Sequence, residues 1–132
     1  MENTTINLSN DSKADSLPDE TCTCKFVLIR VGGVWHLVFG LLREFRYHAA
    51  LVERFCRLHG IATAWVVEPE QIEIDDRDVE LGGGGYIRFE PEKAAVDVFG
   101  YSTVYGGFDR HVLRDIIRDD AAWTPVTLSI ED

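Results

Sequence analysis

The runs CKFVLIRV (residues 24–31) and VWHLVF (residues 34–39) are apolar and rich in β-branched side chains, and only Gly32-Gly33 separates them. Two such runs about a Gly-Gly pair read as a β-hairpin, because glycine takes the positive φ that a tight turn demands. Beyond the hairpin the period changes. Leu42, Phe45, Ala49, Val52 and Cys56 are spaced +3, +4, +3, +4, with His48, Leu51, Phe55 and Leu58 as a neighbouring row. This stripe predicts a helix over 41–59, with Arg43, Glu44, Arg46, Glu53, Arg54 and Arg57 facing away and Gly60 as its stop.

IATAWVV, residues 61–67, reads as a further strand. The segment EPEQIEIDDRDVE, residues 68–80, sets seven carboxylates against one arginine. Ile72 and Ile74 alternate, 75–78 has turn composition, and Val79 and Leu81 resume, which predicts a projecting hairpin, with a mobile loop as the competing reading. No Asp-x-Asp-x-Asp-Gly spacing is present, so the carboxylates read as a solvated face and not as a calcium loop. Four glycines at 82–85 must bend or bulge the chain. YIRFE (86–90) and AAVDVFG (94–100) read as strands, Asp109 caps a helix RHVLRDIIRD, and TPVTLSI (124–130) is a last short strand. The expected class is α/β (α+β): a mixed β-sheet flanked by two helices.

With 132 residues and 45% apolar side chains the chain is expected to be one domain with a real core. Residues 1–20 are polar and read as a disordered tail, leaving 21–132 as the domain. Neither a signal-like apolar stretch nor an eighteen-residue apolar run is present, so a cytoplasmic protein off the membrane is expected. Reduced thiols fit that reading: Cys22, Cys24 and Cys56 are odd in number, and only Cys22-x-Cys24 is close enough to resemble half of a zinc site. A net charge of −10 argues against nucleic acid, yet leaves room for a small anion held by a few local donors.

Among the histidines, His36, His59 and His111 read as structural or solvent-facing. His48 sits on the edge of the helical stripe, where it is either a hydrogen-bonded packing residue or an acid–base group. Lys25 is either a strand-end lysine or a local cation. Ser102, in VFGYSTVYGG (98–107), lacks the G-x-S-x-G context of a nucleophile, and no P-loop or Cys-x5-Arg loop occurs. Glycines at 100, 106 and 107 would let backbone N–H groups converge on an anion beside that hydroxyl.

Taken in order, CKFVLIRV, the YHA at 47–49, LGGGG, VFGYSTVYG and VTLS resemble the Janus/ocnus family, over roughly Lys25 to Ser129. The best-known members of that family are small phosphohistidine phosphatases, and the resemblance implies metal-independent hydrolysis of the P–N bond with no cofactor. It assigns the catalytic role to His48, as base or nucleophile, and phosphate binding to Lys25, Ser102 and the amides of Ala49 and Val104. The implied partners are phosphohistidine-containing proteins or peptides, and the expected state is a monomer. The chain also departs from the family pattern. Ala50 stands where an aspartate is usual, and Phe39 and Tyr86 stand where arginines are usual. Arg88, two residues after Tyr86 on the same strand face, is the possible replacement. Loss of arginines and gain of carboxylates at 68–80 leave a weak or non-catalytic phospho-ligand or protein-binding module, or hydrolysis of another phosphoramidate, as the alternative.

Overall fold

The computed structural model describes residues 3–9, 17–123 and 126–131. Its elements are β1 (Thr4–Asn7), β2 (Cys22–Val31), β3 (Val34–Leu41), α1 (His48–Leu58), β4 (Thr63–Val67), β5 (Gln71–Ile74), β6 (Val79–Glu90), β7 (Ala95–Phe99), α2 (Arg110–Asp119) and β8 (Thr127–Ile130). Among the described residues, six strands form one sheet in the order β1-β3-β2-β6-β7-β8, and β4 and β5 form a separate pair. The sheet is mixed: β2 runs antiparallel to β3 and β6, while β1–β3 and β7–β8 are parallel. The α+β class with a mixed sheet and two helices is therefore the observed architecture. No helix among the described residues is long and apolar enough to cross a membrane.

The central hairpin turns where the sequence predicts. Val31 faces Val34, and Gly32 and Gly33 take φ of 54° and 84°. Alternation along β2 then sends residues to both faces, and both are buried. Phe26, Leu28, Phe39, Ile87, Phe89 and Val98 pack beneath Leu113 and Ile116 of α2. On the other face Val27, Ile29 and Val38 pack beneath Leu51, Val52 and Phe55 of α1. A sheet covered by a helix on each side reads as continuous apolar runs, which is how CKFVLIRV is written.

Three expectations need correction. The helix expected over 41–59 begins only at His48. Residues 42–44 form a turn instead, in which the Glu44 and Phe45 amides both donate to the Leu41 carbonyl at 3.0 Å. Phe45 leaves the helical path because its ring lies against Gly40, where any Cβ would overlap it. The acidic hairpin also has another register: β5 pairs with β4 and not with the residues after 78, so the reversal falls at 68–70. Within the residues read as a tail, Thr4–Asn7 is an edge strand on β3. Thr5 and Asn7 of this strand, and Ser9 after it, are buried. The Trp123 indole donates to the Thr5 hydroxyl at 3.3 Å, the Thr5 hydroxyl donates to Asp120, and Ser9 Oγ accepts the Leu41 amide at 3.0 Å. The part of the tail at 10–16 lies outside the described residues, as do 124–125 of the last predicted strand.

Phe39, 1% exposed, meets the rings of Phe89 and Trp123 beneath α2. Replacing it with alanine is expected to lower the unfolding free energy by about 3–5 kcal/mol, measured by chemical denaturation.

Candidate functional site

The glycine run of β6 carries a bulge. Val27 faces Gly84 but Ile29 faces Leu81, so β6 spends one more residue than β2 over that interval. Gly83 takes φ of 81°. A Cβ on Gly83 would overlap the Gly107 carbonyl, and one on Gly84 would overlap the Phe26 carbonyl. Gly84 is crowded by the neighbouring strand β2, and Gly83 by a second stretch of backbone that lies directly on β6. That stretch is the loop 100–107. The Gly84 amide donates to the Gly106 carbonyl at 3.1 Å, and the Ser102 amide donates to the Gly84 carbonyl at 3.1 Å. Ser102 is 1% exposed, and its Oγ accepts the Tyr105 amide at 3.1 Å, which leaves its O–H free to donate.

The same glycines hold His48. Its Nε2 lies 2.9 Å from the Gly85 carbonyl, and a carbonyl only accepts. The neutral imidazole therefore carries its hydrogen on Nε2 and keeps the Nδ1 lone pair unprotonated. His48 is 8% exposed, and Nδ1 has no hydrogen-bond partner among the described residues. Burial pushes the imidazole pKa below its ordinary value; the Gly85 bond opposes this, and the Lys25 cation adds to it. His48 is also the first residue of α1. Tyr47 precedes it in an extended conformation with no side-chain cap, and the first turn holds no acidic residue. The amides of His48 and Ala49 thus form an uncapped helix N-terminus, where the backbone favours an anion.

Lys25 enters from β2, directly opposite Tyr86 of β6 and Gly40 of β3. Its Nζ lies 5.9 Å from the Tyr86 ring centre. Burial and the nearby Arg46 both lower its pKa. Tyr86 stacks on Phe99 and meets His48 edge-on at 5.5 Å, so it fills the middle of the site.

Lys25, His48, Ser102 and Val104 line one cavity of about 210 Å³, and the Ala49 amide lies at the same helix end. Arg88 is not among them. It shares the Tyr86 face of β6, but its Nε is 3.2 Å from Glu90 Oε1, and that carboxylate also takes Lys93 at 3.2 Å. Phe39 lies on the opposite face of the sheet, so no arginine could reach the cavity from that position. Of the two tyrosines framing Ser102, Tyr101 is exposed, whereas the Tyr105 hydroxyl both donates to the Ile72 carbonyl and accepts its amide, each at 3.0 Å.

Two charged lining residues escape the sequence reading. Arg46, expected on the outer face of the helix, lies instead in the approach to α1 and lines the cavity. Glu70 was part of an acidic segment with no assigned neighbour, and the β4–β5 reversal brings it to the cavity wall. Position two before His48 is the only local signal for the first; nothing in the sequence signals the second. The assembled groups are two cations, a carboxylate, free backbone amides, a hydroxyl donor and an unprotonated ring nitrogen. Such a set can hold a tetrahedral anion and exchange a proton beside it.

The His48 titration followed by NMR is expected to fall below the ordinary histidine value of about 6.5. Lys25→Gln removes one of the two depressing effects and should move that midpoint upward; an unmoved midpoint would separate the two side chains.

Residues 17–124 match the family model described as Janus/Ocnus family (Ocnus). No curated protein matches the chain. With the match covering well over half of its length, the chain belongs to the Janus/Ocnus family.

Proposed function

We propose that the protein is a phosphohistidine phosphatase that cleaves the P–N bond with its own side chains and without a metal. The observation that carries this reading is the hydrogen bond from His48 Nε2 to the Gly85 carbonyl. It leaves Nδ1 unprotonated on a residue that lines one cavity with Lys25, Arg46 and Ser102. The family likeness supplies the phosphohistidine; the site supplies the chemistry.

The phosphoryl oxygens bind the helix-end amides of His48 and Ala49, the Ser102 hydroxyl, the Val104 amide and the Lys25 ammonium. A water attacks phosphorus opposite the departing nitrogen while Nδ1 of His48 takes its proton. The substrate imidazole, protonated from solvent on its non-bridging nitrogen, takes the P–N bond pair and leaves as a neutral imidazole, so the leaving group needs no Lewis acid. The cations and amides hold the charge that spreads over the phosphoryl oxygens. The depressed His48 pKa suits this role, since a base must be unprotonated at working pH.

A second reading has its own support. Tyr86 and Glu70 put an aromatic ring and a carboxylate where added positive charge would tighten phosphate binding. That composition also fits a module that binds a phospho-ligand without turning it over, or a hydrolase of phospholysine or phosphoarginine.

A phosphohistidine peptide incubated in EDTA separates these readings. Turnover is expected for the wild type, and His48→Ala should lose roughly 10²–10⁴-fold in kcat. Equal rates in the two proteins would remove His48 from the chemistry. Saturable binding without turnover would favour the module, and activity abolished by EDTA would overturn the metal-free mechanism.

A further inference from the structure

The β4–β5 hairpin is fixed to the candidate site at one point. Ile72 of β5 is 1% exposed beneath α1, and both of its backbone groups bond the Tyr105 hydroxyl of the loop that carries Ser102. Two residues earlier the chain reverses, with the Glu70 amide donating to the Val67 carbonyl at 2.7 Å. Glu70 therefore does not wander with a long acidic loop. It stands on the wall of the cavity that holds Lys25, His48 and Ser102. Its carboxylate forms no ion pair and no side-chain hydrogen bond among the described residues. The cavity itself is a built one: His48 is 8% and Ser102 1% exposed, and Nδ1 of His48 has no partner among the described residues.

A free carboxylate on the wall of an anion cavity repels a ligand that is only negative. It attracts one whose phosphoryl group has a cation a few ångströms away. The rest of the hairpin extends the same field. Glu68, Glu73, Asp75, Asp76 and Asp78 are all exposed, and the chain carries a net charge of −10. A basic polypeptide would be drawn toward this side of the molecule, and an acidic one kept from it.

We propose that Glu70 determines specificity: it reads a lysine or arginine beside the phosphorylated residue, so that the site takes phosphoryl groups carried on basic polypeptide. This inference rests on the phosphatase reading for turnover but not for binding. Glu70 is not a catalytic residue in it.

The test compares two nonapeptides that differ only in their flanks, lysine and arginine in one and glutamate in the other. Each is made once with phosphohistidine and once with a stable phosphonate analogue. Wild type should favour the basic peptide in both kcat/KM and analogue affinity, with the difference in KM and diminishing as salt is raised. Glu70→Gln should reduce that preference about three-fold, the scale of one partly solvated ion pair. Glu70→Lys should favour the acidic peptide, a reversal that loss of structure could not produce. A preference unchanged in both variants, or analogue binding with no flank dependence, would overturn the role of Glu70. Flank-dependent analogue binding without hydrolysis would leave Glu70 standing and remove the phosphatase reading. Equal hydrolysis of both peptides would do the reverse.

Discussion

Three consecutive backbone positions of β6, Gly83 to Gly85, accept contacts that no side chain would allow. The Gly84 carbonyl takes the Ser102 amide, the Gly85 carbonyl takes His48 Nε2, and Gly83 lies beneath Gly107. One strand segment thus sets the distance between the helix end and the loop. If a Cβ pushed the loop outward, Ser102 and the Val104 amide would retreat from His48, and the cavity would lose one wall. The register slip opposite Leu28 belongs to the same arrangement, since the extra residue in β6 turns its backbone toward the loop.

Around this contact the two faces of the sheet divide the work. The α2 face is closed by aromatic rings, Phe39 among them. The α1 face keeps its apolar packing at one end and the polar cavity at the other. Lys25 and Tyr86 sit side by side on adjacent strands there. Arg46, from the turn before α1, returns positive charge to the cavity from another element.

Much of this was written plainly in the sequence. The hairpin about Gly32-Gly33 was legible because apolar runs and a two-glycine turn act locally. The glycines at 82–85 announced a bulge, though not the loop lying on it. His48, Lys25, Ser102 and Val104 were legible as a group only through family likeness, since they are far apart in the chain. The start of α1 was misread because Phe45 continues the helical period while its ring packs on Gly40. Strand β1 was misread because TTIN is polar, and its polar groups are matched by partners such as Asp120 and Trp123, more than a hundred residues away. The place of Glu70 depended on which strand β5 pairs with, and two isoleucines in alternation fit either choice.

The bond between Tyr105 and Ile72 has a thermodynamic side. A hydroxyl that serves one residue as both donor and acceptor ties the folding of the acidic hairpin to the order of the Ser102 loop. Any ligand that holds the loop must then raise the free energy of opening the hairpin as well, by an amount set by its concentration relative to its dissociation constant. The hairpin is in this sense a reporter of occupancy. Protection of its amides would rise and fall with ligand, even where the ligand touches none of them.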